Sequence, residues 1–137
     1  MREILFRGKR ADNGEWIEGD LIQVGLHEKS KFASIMPQTP VSSAYPVLSE
    51  TVGQYTGLID KNGKRIFEGD ICKFKRFNDV HIGKVVFNVT TASFIMWYQP
   101  IVGAYGEKAT QKMLLSVCDN IEVVGNIRDN PELLTLV

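Results

Sequence analysis

The sequence has few of the residues from which catalytic and metal sites are built. Its 137 residues include only two histidines and two cysteines. His27 and His81 are far apart, and neither lies in a spacing such as HxH or HExxH that would place two ligands on one ion. Cys72 and Cys118 each stand alone in an apolar run, which favours small core residues over a disulfide framework or a zinc site. We therefore predict no metal and no cofactor.

The common catalytic motifs are missing as well. The sequence contains no GxSxG elbow, no P-loop and no GxGxxG. Two carboxylate pairs, Glu18 with Asp20 and Glu68 with Asp70, are the remaining candidates for acid–base chemistry. Each pair flanks a glycine in a turn-like context, so the pattern favours carboxylates that stabilise turns. We predict that the protein is not an enzyme.

Neither an excess of one charge nor a long apolar run is present. The 16 basic and 16 acidic residues balance, whereas proteins that hold duplex DNA by its phosphates usually carry a basic excess. No stretch approaches the ~18 apolar residues of a membrane span. The opening MREILFRGKR lacks the apolar region of a signal peptide. We predict a cytoplasmic protein of one domain that does not contact membranes, with nucleic acid a less favoured partner.

Strand patterns dominate what the sequence does contain. In residues 71–77, Cys72 and Phe74 alternate with Lys73 and Lys75, as in a strand with one buried face. The segment 93–98 is apolar on both faces, which predicts a central strand or one covered by a partner. Further strands are predicted at 2–7, 83–89, 112–118 and 121–127. The fold class predicted is mainly β, a small barrel-like structure or β-sandwich.

Two segments depart from the strand pattern. The interval 25–53 holds Pro37, Pro40 and Pro46, and it predicts an irregular connection that is functional or is ordered by another subunit. The final segment has Asn130 as a potential cap and Pro131 in the first turn, which predicts a short C-terminal helix. The predicted organisation is a first β unit (1–24), the connection (25–53), a second β unit (54–128) and the helix (129–137).

A sequence echo links the two β units. DNGEWIEGDLI (12–22) matches DKNGKRIFEGDIC (60–72) with two extra residues in the second copy. The Asn-Gly pairs predict tight turns, the glycine of each Glu-Gly-Asp predicts a positive φ, and the following aspartate predicts bonds to nearby amides. The fold is therefore expected to contain two echoing strand–turn–strand halves. The predicted turn residues are Asn13, Gly14, Gly19, Asp20, Asn62, Gly63, Gly69 and Asp70.

The echoed segments also carry a family resemblance. REILFRGKRADNGEWIEGDLI, QYTGLIDKNGKRIFEGDI and IEVVGNIRDNPELL are similar to the opening, middle and closing motifs of the YopX family. The similarity spans nearly the whole chain. It implies a β-rich fold, a phage or prophage origin, self-association and no assigned activity.

Three sets of residues are candidates for ligand contacts. A basic stripe that includes Arg65, Lys73 and Lys75 predicts either a phosphate site or a solvated face with lysines that protect an edge strand. Trp16 lies between two turn motifs, which is typical of an interface or a stacking platform. The polar run Gln54, Tyr55 and Thr56 predicts either the polar contacts of a small-molecule pocket or side chains that satisfy the backbone.

Three functional hypotheses follow. The first is a non-enzymatic homo-oligomer that sequesters a host nucleotide-derived signal or a similar small ligand. The second is a protein-interaction module that inhibits or scaffolds a host or phage protein. The third is a nucleic-acid-binding barrel. In each case self-association would use apolar strand faces or the segment 25–53.

Overall fold

The computed structural model describes residues 1–23, 32–38, 43–98, 101–102, 107–108, 111–115 and 118–135. Strands make up most of this part of the chain, and all the strand pairs in it are antiparallel, which confirms the mainly β prediction. The chain divides into two compact units, Met1–Gly57 and Leu58–Val137. The described strands do not close into a barrel, so the barrel-like prediction is wrong.

The first unit is built on five strands. They are β1 (Phe6–Lys9), β2 (Trp16–Ile22), β3 (Phe32–Met36), β4 (Tyr45–Leu48) and β5 (Gly53–Ile59), with a 3-10 turn at Ser49–Thr51. Their order is β4-β3-β2-β1-β5. Ile35 and Val47 are fully buried, and a side chain at Gly8 would meet both of them at about 3.1–3.2 Å. The core of this unit therefore lies on the sheet face that carries these three residues.

The interval 25–53 is less irregular than predicted. Its described part contains β3 and β4, so the prediction of an irregular connection is wrong there; residues 24–31 and 39–42 lie outside the described residues. Pro46 lies in β4, at the end of the strand order, where a missing N–H removes no ladder bond from a central position. Its carbonyl accepts a hydrogen bond from the Ala11 amide at 2.9 Å.

The second unit contains the larger core. Its strands are β6 (Arg65–Phe67), β7 (Asp70–Arg76), β8 (Asp79–Asn88), β9 (Ser93–Tyr98), β10 (Ile101–Val102), β11 (Glu107–Lys108), β12 (Gln111–Leu114) and β13 (Asp119–Asn126). The main sheet has the order β12-β9-β8-β7-β13. The apolar strand β9 lies between β12 and β8, as its two apolar faces predicted. Its Met96 packs in a buried cluster with Cys72, Phe74 and Val85.

The predicted C-terminal helix is wrong. Residues Pro131–Thr135 form only 3-10 turns, in which the Leu133 amide donates to the Asn130 carbonyl at 3.1 Å. The Asn130 side chain accepts from the Asn126 amide, and its Oδ1 lies 2.6 Å from where a Cβ on Gly125 would stand. The Asn130 side chain is therefore engaged at the end of β13 and does not act as the predicted helix cap.

The sequence echo does not produce two equivalent structures. Gly14 and Gly63 have φ of 73° and 81°, and Gly69 has φ of 93°, as predicted. Gly19 is different, because it lies inside the continuous strand β2 with no positive φ. A Cβ there would lie 2.1 Å from the Met36 carbonyl oxygen, so glycine is required by the close approach of β3.

The two echoed aspartates also differ. Asp70 is buried, and its Oδ2 accepts from the Phe67 amide at 2.8 Å, which confirms its predicted role in the turn. Asp20 is exposed on β2 and accepts from Gln38 Nε2 at 2.8 Å, so the prediction that it bonds turn amides is wrong. In the first copy, Asn13 Oδ1 accepts from the Glu15 amide; in the second, the Asn62 amide donates to Asp60.

Candidate functional site

A cleft with three lysines lies on the surface of the second unit. Its volume is about 380 Å³. One wall comes from β7, one from the start of β8, and one from β13 together with the turn that precedes β6. The lining residues are Lys61, Lys73, Phe74, Lys75, Val80, Asn120 and Glu122.

Strand β7 supplies the two central lysines. Strand alternation places Cys72 and Phe74 in the core and Lys73 and Lys75 on the exposed face. β7 lies between β8 and β13, so the proposal that these lysines protect an edge strand is wrong. Among the described residues, neither ammonium group makes an ion pair. Both remain available to an anion.

The third lysine is fixed by a buried aspartate. Asp60 is only 6% exposed, and it accepts hydrogen bonds from the amides of Asn62, Lys64 and Val123 at 2.8–3.0 Å. Burial alone would raise its pKa, but these three amides hold the pKa below its ordinary value. The Lys61 amide donates to the Ile121 carbonyl at 2.9 Å, which joins the turn to β13. Lys61 is thereby held at the rim of the cleft.

A distorted stretch of β13 forms the remaining wall. The register with β7 shifts between Asp119 and Glu122, and Asn120 within this shift has φ of 50°. Bulges of this kind redirect side chains and are frequent beside functional sites. Glu122 lies opposite Lys73 in the register and pairs with Lys61, with Nζ and Oε2 3.2 Å apart. Asp119 likewise lies opposite Lys75, so three ammonium groups and two carboxylates leave the cleft with a small excess of positive charge.

A second cleft, the apolar cleft, adjoins the first and is lined mainly by apolar residues. It has a volume of about 330 Å³ and shares Lys61 and Asn120 with the lysine cleft. Leu58 and Ile59 on this side are exposed. The remaining lining residues are Asp60, Leu115, Cys118 and Ile121. An occupant of the lysine cleft therefore has an apolar surface beside it.

The structure does not gather all the predicted basic residues at this cleft. Lys73 and Lys75 line it, but Arg65 is exposed on β6 and is not among the lining residues. Lys61, which precedes the basic stripe in the sequence, also lines the cleft. Its position depends on Asp60, which the sequence pattern did not single out. The available signal was the aspartate that opens DKNG, since Asp before a turn readily accepts nearby amides.

The predicted polar set on β5 does not share one surface. Tyr55 is buried, and its amide donates to the Leu5 carbonyl at 2.8 Å. Gln54 and Thr56 are half-buried and alternate with Tyr55, so they point to the opposite face of the strand. These three residues therefore do not line a common pocket within the first unit.

Trp16 lies half-buried at the start of β2. It is opposite Lys9 in the register with β1, and the Lys9 Nζ lies 5.5 Å from the ring centroid. The Arg7 Cζ lies 4.8 Å from the same centroid. Two cations already contact the indole, so its surface is partly used by the protein itself.

The thiols and carboxylates give no sign of a reactive centre in the described residues. Burial raises the pKa of the Cys118 thiol to about 11 and that of Cys72 further still, so both are protonated near neutral pH and are weak nucleophiles. No group of three or more His, Cys, Asp or Glu side chains in the described ranges is placed to hold a metal ion. The same ranges contain no helix that is long and apolar enough to cross a membrane.

Comparison with known proteins gives one clear relationship. The model of the family described as YopX protein matches residues 5–135 of the chain. No curated protein matches the sequence. The family match includes every residue of the lysine cleft.

Proposed function

The chain belongs to the YopX family, and we propose that it is a non-enzymatic phage or prophage accessory protein that binds a small anionic ligand. The ligand class that we favour is a host nucleotide-derived signal, which the protein sequesters in the bacterial cytoplasm as a homo-oligomer. The observation that carries this proposal is the lysine cleft of the second unit, in which Lys73 and Lys75 have no ion-pair partner among the described residues.

The chemistry of the cleft supports a phosphate-bearing ligand. Lysine ammonium groups bind phosphate oxygens as compact point charges. A volume of about 380 Å³ lies in the range of small-molecule sites. Sequestration requires tight binding of the ground state and no stabilisation of a transition state, so it needs no general acid, base or nucleophile.

A protein-interaction module is the second candidate. It is favoured by exposed apolar side chains at two hairpins of the second unit, including Phe77, Val80 and Val89, and by the exposed Leu58 and Ile59 of the apolar cleft. A nucleic-acid-binding role is the third candidate. It predicts gel shifts that weaken steeply as salt is raised, because phosphate binding releases counterions.

A thermal shift titration with ATP tests the proposal. A ligand at one hundred times its Kd should raise the free energy of unfolding by about 2.7 kcal/mol. Lys73→Glu with Lys75→Glu should abolish the shift, since the double change reverses the charge of the cleft. Lys64→Glu with Arg65→Glu makes the same charge change on exposed residues outside the lining, and it should retain the shift.

Native mass spectrometry of protein from infected cells tests sequestration and assembly together. We expect a fixed oligomer that carries a small extra mass, released on denaturation. A thermal shift that survives Lys73→Glu with Lys75→Glu would place the ligand elsewhere. A native mass with no bound small molecule, together with no thermal shift on addition of ATP or tripolyphosphate, would overturn the small-ligand proposal in favour of a protein partner.

A further inference from the structure

The hairpin that joins β7 to β8 has an unusual turn residue. Arg76 and Asp79 form the last cross-strand pair, which leaves a two-residue loop of Phe77 and Asn78. Their φ angles are 51° and 68°, so both are left-handed, as in a type I′ turn. Asn suits such a position, but a bulky residue there is strained, and Asn-Gly is the usual choice.

Burial does not compensate this strain. The Phe77 side chain is 81% exposed. Its one described ring contact is with the neighbouring Arg76, whose Cζ lies 4.2 Å from the ring centroid. A guanidinium at this distance restrains the ring and leaves most of its surface open to solvent. The fold therefore gives no packing reason for an aromatic residue at this tip.

The exposed ring is close to the lysine cleft. Lys75 and Val80 both line the cleft, and they are the cross-strand pair next to Arg76 and Asp79. Phe77 follows Lys75 by two residues, so their Cα atoms lie at most roughly 7 Å apart. One small ligand can therefore contact the lysines and the ring together.

We propose that Phe77 stacks on the base of a nucleotide whose phosphates lie among Lys61, Lys73 and Lys75. This inference rests on the proposed function and specifies its ligand, namely a planar ring attached to phosphate. Basic grooves with exposed aromatic rings take nucleotides in this way, because phosphate neutralises the cations while the base covers the ring. Glu122 is the carboxylate among the lining residues, and the balanced charge of the chain disfavours the backbone of a long polymer.

Isothermal titration calorimetry with ATP and with inorganic tripolyphosphate separates the contribution of stacking to the affinity from that of charge. The two probes present the same chain of three phosphates, but only ATP carries a base. Stacking on one aromatic ring should make ATP bind about tenfold more tightly. Phe77→Ala should remove this preference and leave the affinity for tripolyphosphate unchanged. Lys73→Glu with Lys75→Glu should abolish the binding of both probes.

Two further variants show whether a loss of the preference for ATP comes from lost stacking or from a damaged fold. Phe77→Asn should raise the melting temperature, since Asn tolerates the left-handed turn, while it loses the preference for ATP. Val89→Ala is the matched control, because Val89 is equally exposed, at 82%, beyond the opposite end of β8. It should retain the preference. Short oligothymidylate distinguishes a free nucleotide from a single strand as the source of the base, and weaker binding than ATP is expected.

The outcomes separate the two proposals. If neither ATP nor tripolyphosphate binds, the anion-binding function itself fails. If both bind equally, or if Phe77→Ala keeps the preference for ATP, the function stands and the stacking role of Phe77 is overturned. If oligothymidylate binds more tightly than ATP, the ring-and-phosphate chemistry holds, but its source is single-stranded nucleic acid.

Discussion

Replacement of Asp60 by Asn should destabilise the second unit strongly, although it removes only one charge. The two oxygens of the Asp60 carboxylate accept hydrogen bonds from different amides. Oδ1 accepts from the amides of Asn62 and Lys64 at 2.8 and 2.9 Å, and Oδ2 accepts from the Val123 amide at 3.0 Å. Asparagine can keep the first two bonds, but its NH₂ group would then face the Val123 N–H, and two donors cannot pair.

The magnitude follows from these three bonds. An unsatisfied buried donor costs about 1–3 kcal/mol, and the two remaining bonds weaken because their acceptor is no longer charged. We therefore expect Asp60→Asn to lower the free energy of unfolding by about 3 kcal/mol near neutral pH. Asp60→Ala should cost more, since no acceptor remains. Lys61 would also lose its fixed position, so the affinity of the lysine cleft should fall with stability.

Urea unfolding followed by Trp97 fluorescence measures this effect in the second unit. A Trp16→Phe background removes the only other tryptophan, which belongs to the first unit. Asp12→Asn is the matched control, because Asp12 opens the first copy of the echo but is exposed and pairs with Arg10 at 2.6 Å. It should change stability little, as exposed ion pairs do.

The pH dependence provides a second check. The pKa of Asp60 is lower in the folded state than in the unfolded chain. The Asp60 carboxylate therefore contributes fully to the free energy of unfolding above about pH 4, the pKa of an aspartate in the unfolded chain. This contribution is lost as the pH falls through the lower pKa of the folded state. The difference in the free energy of unfolding between wild type and Asp60→Asn should be constant near neutral pH and become smaller in acid. Equal costs for Asp60→Asn and Asp12→Asn at neutral pH would refute the reasoning.

Two other predictions concern the glycines and the cysteines. Gly69→Asn should cost less stability than Gly69→Ala, because Asn tolerates the φ of 93°; Gly19→Asn should gain nothing over Gly19→Ala, because any Cβ meets the Met36 carbonyl. Thermal melts of the four variants check this, and the same ranking at both positions would contradict it. Cys118 should react with iodoacetamide slowly near neutral pH and faster as the pH approaches its pKa of about 11, whereas Cys72 should react only on unfolding. Peptide mass analysis at several pH values measures both, and rapid labelling of Cys72 in the folded protein would be the contrary result.

Local patterns in the sequence were sufficient to predict most of the strands of the second unit. The alternation around Lys73 and the apolar segment 93–98 predicted β7 and β9, because the side chains of a strand alternate between its faces whatever the neighbouring strands are. The Asn-Gly turns were also predictable, since positive φ is a property of the residues themselves. The C-terminal segment forms 3-10 turns and not the predicted helix, because the Asn130 side chain accepts from the Asn126 amide of β13 and does not cap a helix.

The sequence by itself thus determined the β class, the strands with clear alternation and the buried state of Cys72. Tertiary structure decided what the echo could not, namely that Gly19 is required by a neighbouring strand and Gly69 by its own φ. It also decided the cleft, which joins a turn at Lys61, a strand at Lys73 and a bulge at Asn120. The physical reason is that strand order and register bring together residues distant in sequence, and local propensity does not encode which strands become neighbours.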